Sequence, residues 1–210
     1  MIIKKWLIAA LFLIPPGALF AQHVDSLSYK KNKLYFGAQI DGGIGYGDLN
    51  VDHVPNNPGG LAYCISANLM KDHNFLKLEA THYGYFNFSA LGGLTAEQNE
   101  YSDIYGLLIG RQLPIGPKSS FGIATGISQV YIAYGSGSYG GYGYPSTYQL
   151  NSVATVGVPI ELSFTHTSAN YMAWHLTYGI NLNNKATEGV ATLGFSFGKL
   201  REKLSADKKL

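Results

Sequence analysis

The sequence predicts an all-β chain: a closed, up-and-down antiparallel transmembrane β-barrel of about eight strands. Three observations carry that expectation. Apolar and small polar residues alternate at every second position through several segments, the period of a strand with two unlike faces. Charged residues make up 13% of the 210 residues, about half the share that soluble domains use to cover themselves. Beyond the N-terminus no apolar run is long enough for a membrane-crossing helix, so any crossing has to be made by strands.

Residues 1–21 read as a cleavable signal peptide rather than as part of the fold. Lys4 and Lys5 form a basic start, Trp6 to Ile14 a short apolar core, and Pro15, Pro16 and Gly17 break it before the small residue Ala21. Residues 22–32 form an N-terminal segment on the periplasmic side, 33–199 the barrel, and 200–210 a periplasmic tail. With Lys4 and Lys5 removed, 13 basic and 13 acidic residues remain, a neutral balance that argues against nucleic acid as a partner. The single cysteine, Cys64, forms no intramolecular disulfide and reads as a passive filler beside Ser66 and Asn68.

The strands fall at about 33–47, 60–70, 75–88, 100–113, 120–135, 147–165, 170–182 and 188–199, each bounded by Gly, Pro, Asn, Asp or Ser. In the first, Leu34, Phe36, Ala38, Ile40 and Ile44 oppose Lys33, Gln39 and Asp41. In the sixth, Leu150, Ala154, Val156, Val158, Ile160, Leu162 and Phe164 oppose Gln149, Asn151, Thr155, Glu161, Ser163 and Thr165. In the seventh, Met172, Trp174, Leu176, Tyr178, Ile180 and Leu182 oppose His175, Thr177, Gly179 and Asn181. In the eighth, Ala191, Leu193, Phe195 and Phe197 oppose Thr192, Gly194, Ser196 and Gly198. In the fourth and fifth, Gly106, Gly110, Gly122 and Gly126 leave the parity open and suggest a bulge. A further hairpin hidden in 136–147 would raise the count to ten strands.

The second row is small and polar rather than charged, so it suits a narrow interior, and the apolar row then faces lipid. Tyr148 and Phe164 flank the aliphatic centre of the sixth segment, as an aromatic girdle would. Connections alternate between long (48–59, 89–99, 136–146) and short (71–74, 114–119, 166–169), with a moderate one at 183–187. Basic residues such as Lys71, Lys118 and Lys199 gather on the short-turn side. Asp48, Asp52, Glu97, Glu100 and Glu188 fall on the other.

These features resemble the small outer-membrane β-barrel family, the porin-like eight-stranded domains of Gram-negative envelopes. The closing strand Gly189 to Lys199, with its alternating aromatics, is similar to the signal read by the barrel-insertion machinery of that family. The chain departs from it in the residues that follow Lys199. The resemblance implies an outer-membrane location, surrounding lipid and lipopolysaccharide, and an extracellular partner met through the outer loops.

The interior row is expected to carry Asp41, Lys77, Glu79, Asp103, Arg111, Glu161 and His175. In a lumen just wide enough for side chains, opposite charges must pair, which makes a salt-bridge plug, or else a narrow ion path. His166 and Ser168 are similar to the His-x-Ser element of outer-membrane lipid A deacylases, where His activates Ser. Against that reading, Ala169 stands where that family has Asn, no Glu lies in the next strand, and the expected position is a periplasmic turn. The Gly/Tyr stretch from Gly135 to Pro145 reads as an outer loop or a contact tip. His82 falls on the lipid-facing row. No GxxxxGK[ST] or HExxH motif occurs, and no cofactor or metal is expected. Three functions follow: a non-enzymatic structural or adhesive envelope protein, a small-solute pore, and a lipid-modifying enzyme.

Overall fold

The computed structural model describes residues 33–49, 59–86, 101–116, 118–138, 147–169 and 171–200. The expected signal peptide, the 22–32 segment, the tail beyond Leu200 and most of the three long connections lie outside the described residues.

The strands are β1 (Leu34–Leu49), β2 (Gly59–Lys71), β3 (Asn74–Phe86), β4 (Tyr101–Pro114), β5 (Ser119–Ser138), β6 (Thr147–Ala169), β7 (Met172–Asn183) and β8 (Ala186–Lys199). Each pairs antiparallel with its neighbours in sequence, and β8 pairs with β1, so the sheet closes into a barrel. Closure leaves no sheet edge, the condition for strands to cross a bilayer with every backbone group satisfied.

The register fixes the barrel's shape. From Phe36 the paired residues run Leu69, Leu76, Ile109, Thr125, Ile160, Ile180 and Gly189, and return to β1 at Tyr46, ten residues beyond the start. Over eight strands that stagger tilts them by about 41° and gives a backbone radius of about 8 Å. Such an interior is filled by its own side chains.

Burial alternates along the strands as the period-two reading requires. On the outer row Ile40 is 61% exposed, Ile65 58%, Leu78 58%, Ile127 57% and Leu193 57%. A continuous aliphatic band of this kind far exceeds the apolar patches of soluble monomers. Towards one end of the barrel the outer row turns to Phe and Trp: Phe36, Phe121, Phe164, Trp174, Phe195 and Phe197. Towards the other it turns to Tyr: Tyr46, Tyr63, Tyr101, Tyr105 and Tyr131. We call the first the turn end, because the short connections lie there, and the second the loop end.

Turn chemistry explains the first short connection and the moderate one. Asp72 (φ 53°) and His73 (φ 84°) both take the left-handed region, as a two-residue hairpin joining twisted strands demands. The moderate loop expected at 183–187 is instead a tight turn. Asn183 Oδ1 accepts hydrogen bonds from the backbone N–H of Lys185 (2.9 Å) and Ala186 (2.7 Å), which lets β8 begin at Ala186. At the closing seam Gly198 has φ 141°, and a Cβ there would run into Phe36 O and the backbone of Gly37, so only glycine fits.

Two further expectations are corrected. No bulge interrupts the β3–β4 or β4–β5 pairing, and Gly106, Gly110, Gly122 and Gly126 all belong to the inner row. The register shift falls in β6, between Thr167 and Ala169. The β5–β6 pairing also runs out to Ser138 and Thr147, so among the described residues this stretch lengthens two strands rather than adding a ninth and tenth.

Candidate functional site

The lumen has three layers. At the turn end Tyr35, Met70, Phe75, Leu108 and Ala124 pack together. At the loop end Ala62, Tyr83, Ile104, Val130, Ile132 and Ala186 do the same. Between these apolar layers lie the buried polar side chains.

Lys77 holds the centre. It is 4% exposed, and its Nζ is ion-paired to Glu161 on the far side of the lumen and to Glu79 Oε2 at 3.0 Å on its own strand. A buried ammonium with one carboxylate across the barrel and one beside it is compensated, which is the condition for a charge to persist in a dry interior. Glu79 fits there because its cross-strand neighbour is Gly106, where a Cβ would lie 2.9 Å from the Glu79 side chain.

A second cluster starts at Asp41 on β1. Its Oδ1 bonds to Nε2 of His175 on β7, two strands away around the closure. The residue paired with both is Gly194 of β8, and a Cβ there would strike the Asp41 carboxylate. Glycine therefore opens the space through which acid and imidazole meet. The cluster continues from His175 Nδ1 to Ser196 Oγ (3.1 Å). Ser196 accepts from Gln39 Nε2 (3.0 Å), and Gln39 Oε1 accepts from Ser66 Oγ (2.8 Å). Read as donors, Ser66, Gln39, Ser196 and His175 each pass one hydrogen to the next, ending on Asp41. That order makes His175 the Nε2–H tautomer. His175 is 1% exposed, so the imidazole is closed to bulk water.

Of the seven residues expected inside, Asp41, Lys77, Glu79, Glu161 and His175 line the lumen. Asp103 and Arg111 do not, and their placement is corrected. Both sit on the outer row of β4, whose inner row is Ser102, Ile104, Gly106, Leu108, Gly110 and Gln112. Each lies near one end of its strand, where an outward charge reaches the wet boundary of an apolar band. Asp103 Oδ1 pairs with His82 Nδ1 at 2.7 Å, also on the outer row, and the His82 ring stacks between Tyr63 and Tyr101 at centroid distances of 4.8 and 5.4 Å. Glu188, expected in an outer loop, is instead an inner-row residue of β8, 1% exposed. The parity of Thr192, Gly194 and Ser196 already pointed to it.

His166 and Ser168 lie on the outer row at the end of β6, not in a turn. His166 Nδ1 is bonded to Ser119 Oγ at 2.9 Å, and its ring packs against Trp174. Ser168 Oγ donates to Met172 O at 3.2 Å. Each group is thus engaged with a partner other than the one that nucleophile activation requires. Among the described residues no three His, Cys, Asp or Glu side chains converge as metal ligands.

Two small cavities adjoin the central ion pair. One, of about 60 Å³, opens toward the turn end and reaches Gln39, Ser196 and Lys199. The other, of about 50 Å³, lies toward the loop end and reaches Asp41, Glu79, Glu188 and Asn181. Lys77 and Glu161 line both, so they stand as the partition between them. Each cavity has room for a few waters.

No family model matches the chain, and no curated protein sequence does. Its fold is that of small eight-stranded outer-membrane barrels. Neisserial surface protein A is similar over 77% of this chain and 96% of its own, with TM-score 0.58 and 11% identity. Ail, the attachment invasion locus protein of Yersinia pestis, is similar over 80% of this chain and 99% of its own, with TM-score 0.51 and 10% identity. Ail in complex with the heparin analogue sucrose octasulfate matches with TM-score 0.50 and 9% identity, over 78% of this chain and 98% of its own.

Proposed function

We propose that the chain is exported by its signal peptide and inserted in the outer membrane. There it acts as a non-enzymatic envelope protein, a sealed barrel that carries its long loops to the cell exterior. The single observation behind this reading is the pairing of an apolar outer belt with a lumen filled at three levels: two apolar layers and, between them, the Lys77–Glu161 partition. A barrel filled in this way is a scaffold, and what it can offer a partner lies at its rim. Ail is the attachment invasion locus protein of Yersinia pestis and forms a complex with a heparin analogue. That supports an adhesive role for the corresponding loops here, with an extracellular or lipopolysaccharide partner.

Two measurements test the reading. Trp174 is on the outer row, and the chain's other tryptophan, Trp6, belongs to the segment removed on export. In bilayers of acyl-chain-brominated lipid its fluorescence should be strongly quenched, and unquenched emission would reject the membrane orientation. In planar bilayers the purified barrel should give no single-channel steps. Clear steps would replace the scaffold with the small-solute pore, the second reading, which the two cavities either side of Lys77 favour. The deacylase reading predicts acyl-chain release from lipopolysaccharide that Ser168→Ala abolishes.

A further inference from the structure

One rung of the outer surface combines charge and grease in a way that the scaffold role does not use. At the turn end the cross-strand neighbours run Leu34, Lys71, Asn74, Arg111 and Ile123 over five consecutive strands. Lys71, Asn74 and Arg111 all point outward and are exposed. Neighbouring strands are about 4.8 Å apart, so the two cations flank Asn74 with their backbones about 10 Å from each other. Side chains of that length converge on one group placed over the amide. Neither Lys71 nor Arg111 has an ion pair or hydrogen bond among the described residues.

Two residues further into the belt, the next outward rung is Leu69, Leu76 and Ile109. The same residues line one open groove on the barrel wall. Asp72, in the turn below, also borders the groove, but it already has a partner of its own and leaves the three charges with a net excess of one positive.

We propose that this groove binds an anionic phospholipid of the leaflet at the turn end. Its phosphate sits between Lys71 and Arg111 over Asn74, and an acyl chain lies along Leu69, Leu76 and Ile109. The guanidinium offers a planar pair of donors to phosphate oxygens and the ammonium a compact charge. The aliphatic rung continues directly toward the bilayer centre, as a headgroup-to-tail direction requires. This explains why β4 carries an arginine on a lipid-facing row. The proposal rests on the membrane reading above.

The test is native mass spectrometry of the full chain folded into bilayers of equal phosphatidylglycerol and phosphatidylcholine, with Lys71→Gln, Arg111→Gln and the double variant beside it. Unboiled gel migration, read first, reports whether each barrel has inserted, and failure of the unaltered barrel to insert would overturn the membrane reading and the site with it. For inserted protein, phosphatidylglycerol should be enriched among retained lipids. The enrichment should fall about fivefold for each charge removed, the factor one basic side chain is worth at an anionic surface. Lys118→Gln, a basic change near the same end but outside the groove, should leave it unchanged. Equal retention of the two lipids, or an enrichment that survives in the double variant, would overturn the site while leaving the membrane reading intact.

Discussion

Replacing Lys77 with methionine is the sharpest perturbation the lumen allows. Methionine keeps most of the length and the apolar character of the lysine stem and removes the charge together with the terminal nitrogen. Glu79 and Glu161 would then face each other across a dry space with no cation, since the lysine that compensates both is 4% exposed and central. Removing one partner of a buried ion pair costs about 3–5 kcal/mol, because the survivor keeps its desolvation penalty. Glu161→Gln should cost less, about 1–3 kcal/mol, because Glu79 still holds Lys77 at 3.0 Å and only one charged hydrogen bond weakens. The triple change Lys77→Met, Glu79→Gln, Glu161→Gln removes all three charges together. It should lie within about 2 kcal/mol of the original barrel, since exchanging a whole buried ion cluster for neutral groups is often close to neutral. The readout is reversible urea unfolding from lipid bilayers, followed by Trp174 fluorescence and by gel migration. A Lys77→Met barrel that loses less than about 1 kcal/mol, or a triple variant worse than the single one, would refute the argument that compensation at Lys77 holds the lumen together.

Other changes probe separate features. Gly194→Val should break the Asp41–His175 bond by placing methyl groups on the Asp41 carboxylate; loss of the His175 Nε2–H signal in NMR spectra checks it, and its survival would contradict the geometry. Thr125 lies on the outer row, and its hydroxyl donates to Pro159 O at 2.9 Å beside the place where the β5–β6 pairing lapses; Thr125→Val should cost about 1 kcal/mol in the same unfolding assay. His73, in the β2–β3 turn, is held below the usual imidazole range by burial and then by the positive charge of Arg111. The unfolded chain therefore takes up a proton near pH 6.5 before the folded one does. Stability should fall as pH drops through that window, and His73→Gln should flatten the fall between pH 7.5 and 5.

The strand rhythm was legible in the sequence because a closed sheet with an apolar outer face and a narrow lumen inside forces unlike residues onto its two faces. Where the inner row was marked by Thr, Ser and Asn, as in β6 to β8, face and register could be read directly. In β4 the glycines at 106 and 110 mark neither face, so Asp103 and Arg111 were placed by their charge alone, and charge misleads near strand ends, where the outer face is wet. Glu188 read as a loop residue, against the parity of β8, because the Asn183 side chain closes a tighter turn than its residues announce. His166 and Ser168 looked like turn residues because β6 runs on past the apolar belt, where polar side chains on a strand lose their usual meaning. The Asp41–His175 contact needed the closure itself: only when β8 lies between β1 and β7 does Gly194 become the gap through which the two meet.

That dependence on closure suggests why polar groups fill a space that aliphatic ones could fill more cheaply. In the proposed membrane setting the outer face of the barrel meets fluid lipid, which accepts any apolar side chain in any register. Hydrophobic burial therefore does little to tell the native pairing from one slipped by a residue. A slip of one position turns every inner residue outward. For β3 it would carry Lys77 and Glu79 into the acyl region, and for β1 it would carry Asp41 there, at about 2–4 kcal/mol for a basic side chain at the midplane and somewhat less for an acidic one. The Lys77–Glu161 pair links β3 to β6 and the Asp41–His175 pair links β1 to β7, so each ties the registers of two strands that are not neighbours in the sheet. Specificity of register, more than stability, is what the buried charges contribute. The triple variant described above should accordingly keep most of its stability yet refold with more misregistered, off-pathway barrel, seen as a second unboiled band that the original protein lacks.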